Sequence, residues 1–268
     1  MPSENLQPGH LEEVNENFEF IDIDQIDDIE RVKEVAKYFK EEATKARKEA
    51  ATDTLTGMWK EGVFMRQLDA QLGRLHRPLV GNRESDAKLE EEDTFVLLYL
   101  DLDNFKPAND LFGHPFGDKV IKAVAKVIKT HTRKTDFQAI LPTKSEPVFD
   151  VRFHGDEFGI IFLQTNAEKI RVKVEGEILP LIREEMKKLL QAEKEKNSDL
   201  KDVDLTHIAT ASIGIVQAKA GLSAEELIKR ADDAMYYSKE KGKNKATVFD
   251  EIPEGWTRKG TTSPEKRS

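Results

Sequence analysis

The chain has 268 residues, of which 35% are charged and 38% hydrophobic, and its formal net charge is −9. That length suits one sizeable domain plus extensions, and the acidity argues against broad nucleic-acid binding, which needs a basic face. The absence of Cys excludes disulfides, thiolate zinc sites and cysteine nucleophiles and fits a cytoplasmic location, while no apolar run reaches membrane-spanning length and the N-terminus lacks a signal-peptide pattern.

In chain order, residues 1–25 are acidic and aperiodic and read as a mobile tail. Residues 26–52 read as a helical stalk. Ile29, Val32, Ala36, Phe39, Ala43, Ala46 and Ala50 alternate at three and four residues, a heptad seam that suits either a short dimer stalk (a possible coiled coil), weakened by its alanine-rich end, or an amphipathic helix packed on its own domain. The turn Asp53-Thr54-Leu55-Thr56-Gly57 precedes a helix through Val63, Phe64, Leu68 and Leu72, and residues 76–93 read as a polar loop. The continuously apolar run Phe95–Leu100 predicts a strand buried on both faces. A helix follows from Phe116 to about Lys129, burying Val120, Val124, Val127 and Ile128.

Residues 137–147, with Pro142 and Pro147, interrupt the approach to a hairpin. A long helix spans roughly 167–192 with a kink or break at Pro180, and a charged linker runs from Glu193 to Asp204. A strand covers roughly Thr206–Val216. The last helix opens at Ser223 with Glu226 three residues on, a capping box, and buries Leu227, Ala231, Ala234 and Met235. A short strand, Ala246–Phe249, precedes a polar tail, 251–268, expected to lack order. Strands and helices alternate around one hairpin, so the fold class is α+β, a mixed sheet flanked by helices.

Two acidic strand ends carry the chemistry. In Arg152-Phe153-His154-Gly155-Asp156-Glu157-Phe158, a tight turn places two carboxylates at a hairpin tip, where a cation must compensate their repulsion. Upstream, the apolar strand ends in Asp101-Leu102-Asp103, whose two aspartates share a face under strand alternation. Together these elements suggest a two-metal carboxylate site of the kind that handles phosphoryl or nucleotidyl transfer.

From about Asp53 to Phe249 the chain resembles the GGDEF family of diguanylate cyclases. Asp53-Thr54-Leu55-Thr56-Gly57 matches the entry turn, and Asp101-Leu102-Asp103-Asn104-Phe105-Lys106-Pro107-Ala108-Asn109-Asp110 with Gly113-His114-Pro115-Phe116-Gly117-Asp118 matches the strand end and guanine segment. His154-Gly155-Asp156-Glu157-Phe158 stands at the name-giving motif; Ser212-Ile213-Gly214, Ala231–Lys239 and Gly242-Lys243-Asn244 complete the set. The resemblance implies a palm-like nucleotidyl cyclase fold over 53–250 and condensation of two GTP into cyclic di-GMP across a homodimer. It implies two Mg2+ (or Mn2+) held by Asp101, Asp156 and the Leu102 carbonyl, with Glu157 supporting them. Asn109 and Asp118 would read guanine, and the amides of Asn104 and Phe105 with Lys106, Lys239 and Lys243 would cradle the phosphates. Competing local roles are a turn for Asn109, a first-turn helix acid for Asp118 and a solvated helix end for the lysines.

The chain also departs from the family. His154 replaces a glycine, so the turn either tolerates a side chain or is strained by it, and the ring either blocks GTP or adds a donor near the phosphates. Lys60-Glu61 stands where Asn-Arg is usual. The Arg-x-x-Asp inhibitory site is missing, with Ser145 and Val148 in its register and Arg133–Asp136 displaced, so weak or no product inhibition is expected. The alternative function is a degenerate domain that binds GTP or cyclic di-GMP without turnover and serves as a regulatory module.

Overall fold

The structure is a computed structural model that describes residues 29–75, 94–132, 149–196 and 210–258. The expectations for the tail 1–25, the loop 76–93, the Pro-containing segment 137–147, the inhibitory-site positions and the linker beyond Lys196 lie outside those residues. The chain divides between Ala50 and Ala51 into two compact units.

Helix α1 (Ile29–Ala51) belongs to the first unit up to Ala50. Its seam positions Val32 (38%) and Phe39 (47%) are exposed, as are Ala36, Ala43, Ala46 and Ala50, and Tyr38 meets Phe39 edge-on at 5.7 Å.

The second unit is built on a six-stranded sheet. In chain order it comprises β1 (Trp59–Lys60), α2 (Glu61–Leu75), β2 (Phe95–Leu102), α3 (Phe105–Phe112), α4 (His114–His131), β3 (Phe149–Arg152) and β4 (Glu157–Leu163). Then follow α5 (Ala167–Lys173), α6 (Leu179–Lys196), β5 (Ala211–Gln217), α7 (Ala224–Glu240) and β6 (Ala246–Val248). The sheet order is β1-β3-β4-β2-β5-β6; the outer pairs β1·β3 and β5·β6 are parallel and the inner ones antiparallel.

β2 is one of the two central strands of the sheet, with β4 on one side and β5 on the other, and all eight of its residues are buried. Alternation sends Val96, Leu98, Leu100 and Leu102 to one face, against Val120, Val124 and Ile128 of α4 and Ile178, Ile182 and Met186 around α6. Phe95, Leu97 and Tyr99 face the other way, against Phe64 and Leu68 of α2 and Leu227, Ala231 and Met235 of α7. Burying each large apolar side chain contributes about 1.5–3 kcal/mol, so both helical layers are fixed by this strand.

Several local features differ from expectation. Residues 105–112 form a helix that polarity and brevity hide, and α4 begins at His114 with Pro115 in its first turn. The break near Pro180 is one turn earlier: Val174–Ile178 is a π segment, and the Leu179 amide bonds the Val174 carbonyl. Proline cannot donate to the Gly176 carbonyl, and the widened turn absorbs that missing bond before α6 continues through Pro180. α6 also runs to Lys196, into the charged stretch, where Glu193 pairs with Lys119 at 2.9 Å and Lys196 at 3.1 Å. Residues 251–258, expected to lack order, pack on α7. Trp256 meets Tyr237 edge-on at 5.4 Å and donates to Glu240 (3.2 Å), while Arg258 pairs with Asp232 (2.7 Å) and lies 4.0 Å over the Tyr236 ring.

Candidate active site

Strand pairing brings the two acidic segments together. Asp101 is opposite Glu157 across β2·β4 and opposite Ser212 across β2·β5, with Asp156 immediately before Glu157 in the turn. Asp101 is 8% exposed, and its Oδ1 accepts from Lys239 Nζ of α7 at 2.5 Å. Burial pushes the Asp101 carboxyl up to about 6; Lys239 opposes that shift, and the charges of Asp156 and Glu157 add to it. Asp156 is likewise raised, first by burial, with Lys239 opposing and Glu157 adding. This strand end is therefore short of positive charge.

Asp103 plays a different part from the one alternation suggests. It is 1% exposed, and Thr210 (2.7 Å), Ser212 (2.7 Å) and the Asn244 amide (3.0 Å) donate to its two oxygens. Its charge is spent holding the loop after α7 against the end of β2, as a buried carboxylate requires. Among the described residues, no three His, Asp or Glu side chains converge as a metal cage. The donor set still fits a divalent cation: Asp101 and Asp156 are hard oxygen ligands on adjacent elements, and such an ion offsets the burial that chiefly raises both, together with the added repulsion from neighbouring carboxylates.

Beyond β2 the chain turns at Asn104, whose left-handed backbone (φ 56°) opens α3 with no side-chain cap. Asn tolerates that geometry better than most residues. Phe105 is half-buried and Lys106 exposed in the first turn of α3, while Leu102 is buried in the core. The loop after α7 folds back through Gly242 (φ 108°), Lys243 (φ 63°) and Asn244 (φ 50°), so that Lys243 Nζ donates to Asn104 Oδ1 at 2.6 Å. Lys239 and Lys243 thus both point to the end of β2 and the start of α3, not to a solvated helix end.

Asn109 and Asp118 are brought to one place by α3 and α4. A Cβ at Gly117 would lie 1.9 Å from Asn109 Oδ1, so the amide rests on the backbone next to Asp118. That buried Oδ1 has no hydrogen-bond partner among the described residues. Asp118 is exposed and lies beyond the first turn of α4, which removes the helix-dipole explanation for it.

The hairpin turn is tied on both sides. Phe153 N donates to the Glu157 carbonyl (3.0 Å) and Glu157 N to that of His154 (2.9 Å), with Gly155 at φ 51°. Arg152 donates to the Gly155 carbonyl (2.9 Å) and pairs with Asp53 at 3.2 Å. The Tyr99 hydroxyl donates to Glu157 Oε2 at 3.0 Å, and the Phe153 ring stacks on Tyr99 at 5.0 Å. Sequence reasoning missed Tyr99, Gly117 and Arg152 as parts of this site. Alternation could have found Tyr99, two residues before Asp101 on the same face.

The sequence profile of the family described as "Diguanylate cyclase, GGDEF domain" matches residues 50–245. This chain belongs to the GGDEF family. It is 28% identical over 204 residues to the probable diguanylate cyclase DgcT of Escherichia coli, covering 76% of this chain and 36% of that protein. It is 32% identical over 160 residues to diguanylate cyclase A of Treponema denticola, covering 59% of this chain and again 36% of the relative. The chain therefore spans about a third of the length of these two relatives. The crystal structure of the coiled coil and GGDEF domain of DgcB from Caulobacter crescentus, in complex with c-di-GMP, aligns with TM-score 0.56 and 27% identity. That alignment covers 82% of this chain and 96% of the other.

The departures of this GGDEF domain now have locations. His154 does not adopt a positive φ, and its side chain is 73% exposed. The glycine that needs left-handed backbone is Gly155, which is retained. His154 lies between Glu61 (3.5 Å) and Glu157 (3.7 Å), so two positions where the chain departs from the family face one another.

Proposed function

We propose that this GGDEF protein is a diguanylate cyclase that condenses two GTP into cyclic di-GMP and two pyrophosphates across a homodimer, using two Mg2+ per site. The observation that carries the reading is the pairing of β2 with β4, which sets Asp101 beside Asp156 and Glu157 at a strand end short of positive charge. Asp101, Asp156 and the Leu102 carbonyl would hold the ions, which when bound lower the pKa of the ribose 3′-hydroxyl and neutralise charge on the reacting phosphates.

The chain's own groups do the rest. Asp118 accepts from the N1–H and amino group of guanine, a donor pair that adenine lacks. The Asn109 amide, whose Oδ1 has no hydrogen-bond partner among the described residues, completes that edge. The amides of Asn104 and Phe105 at the start of α3, with Lys106, Lys239 and Lys243, orient the β- and γ-phosphates. Glu157, held by Tyr99, keeps a fixed negative field at the strand end.

Incubation with GTP and Mg2+, with nucleotides resolved by chromatography, tests the reading: cyclic di-GMP and pyrophosphate are the expected products. Asp156→Asn should abolish turnover without loss of fold, and unchanged turnover in that variant rules out the assignment. The second reading is the binding module. It is favoured by Lys239 occupying Asp101 Oδ1. A wild-type protein that binds GTP but stays inert with Mg2+ or Mn2+ would select it.

A further inference from the structure

We propose that Lys239 is a built-in counter-ion of Asp101: a divalent cation competes with it for that acid, and a nucleotide favours the cation by drawing the lysine onto its phosphates. This inference rests on the reading of Asp101 as a metal ligand. Lys239 Nζ sits 2.5 Å from Asp101 Oδ1, in a pair whose side chains are only 27% and 12% exposed. An ammonium already neutralises that carboxylate, so a dication brought to Asp101 meets a neighbouring positive charge, and the two cations compete for the same acid. The next cation along the hairpin, Arg152, is engaged by Asp53 and the Gly155 carbonyl. Asp156 and Glu157 face Asp101 and deepen the need for a cation there.

The lysine also has somewhere to go. One turn further on, Lys243 holds the amide oxygen of Asn104 rather than a carboxylate, at the N-terminus of α3. The backbone of α7 is fixed by close packing on Gly214, so Lys239 can move only through its four-carbon stem, from the acid at the end of β2 toward that terminus. A polyphosphate at the α3 terminus then offers Lys239 a second anionic partner and leaves Asp101 open to the metal. Binding of nucleotide and of metal is thereby coupled, and the coupling is reciprocal. Without nucleotide, the lysine keeps the acidic strand end partly neutral and disfavours metal uptake.

The test uses the full chain with Mn2+ alone, followed by electron paramagnetic resonance of the free ion. Lys239→Met should bind Mn2+ at least about fivefold more tightly than wild type, and Asp101→Asn should lose that binding. A second measurement needs no variant: Lys239 acetylation, read by mass spectrometry, should be slow in the metal-free wild type and several-fold faster with Mn2+. If Asp101→Asn loses Mn2+ while Lys239→Met shows no gain and Lys239 labelling ignores the metal, the counter-ion inference fails and the metal reading stands. If Asp101→Asn binds Mn2+ as wild type does, the metal reading fails and takes the inference with it.

Discussion

Gly117 lacks a side chain where Asn109 needs the space: the Cβ of any other residue would fall 1.9 Å from Asn109 Oδ1. The clashing atom is the end of a movable side chain, so Gly117→Ala should displace the amide rather than break the fold. Alanine is also the better helix former, by about 1 kcal/mol. The variant should melt no lower than wild type, yet its KM for GTP should rise roughly tenfold, the loss of about 1.4 kcal/mol of contact. Lower thermal stability with unchanged KM would show that Gly117 serves packing alone. Asp53 gives a residue-scale prediction of another kind. Burial works against its ionised form, but the Thr56 amide and hydroxyl and the Arg152 guanidinium prevail, and its folded pKa lies below the ordinary 3.8. A depressed folded pKa contributes stability that is fully present above 3.8 and disappears as pH falls through the folded value. Asp53→Asn should therefore cost about 1–2 kcal/mol at neutral pH, discounted for partial exposure. Denaturant titrations of wild type and variant should converge in acid; a constant gap at every pH would mean that the charge is not what matters.

At the scale of elements, what was legible depended on how much of each element's pattern was its own. β2 could be read because eight buried residues leave no polar face to confuse the period, and α7 because Ser223 accepts from the Glu226 amide at 3.2 Å at its start. α3 could not be read: eight residues with a Lys, a Pro, an Asn and an Asp give little periodic signal, and its onset depends on the left-handed Asn104. The two-residue β1 exists by pairing with β3, a contact distant in the chain, and Trp256 marks a docking segment that a polar composition concealed. At the site, Asp101 and Asp156 were legible as acids at strand ends. The role of Asp103 was not, because its donors Thr210, Ser212 and Asn244 are more than a hundred positions away in the chain. Where β5 meets α7, a Cβ on Gly214 would stand 1.9 Å from the Ala231 carbonyl and 2.5 Å from the Met235 amide. Both are backbone, and neither can swing aside. Gly214→Ala should push α7 off the sheet and cost at least about 3 kcal/mol. A denaturation midpoint equal to wild type would show that α7 can shift without penalty.

For the whole molecule, the reaction proposed here sets a requirement that one copy cannot meet, since each domain would bring one GTP and two must face each other. α1 offers a means of raising the effective concentration of a second domain. Its seam exposes Val32 and Phe39, but Ala36, Ala43, Ala46 and Ala50 supply only methyl groups. At about 0.8 kcal/mol per buried CH₂-sized group, such a seam contributes far less than a Leu-rich zipper of the same length. The expected stalk dimer is therefore weak and depends on concentration. Removing residues 1–50, the whole of the first compact unit, leaves the unit that contains every proposed site residue. Specific activity of the truncated protein should fall by tenfold or more, in order-of-magnitude terms, at dilute enzyme and recover as concentration rises, because association then no longer limits encounter. Sedimentation should show the full chain shifting from monomer to dimer over the range in which its specific activity climbs, with the truncated protein shifting later. Equal activity at every dilution would show that α1 does not hold two copies together, and the facing of the two sites would then have to come from surfaces of the second unit itself.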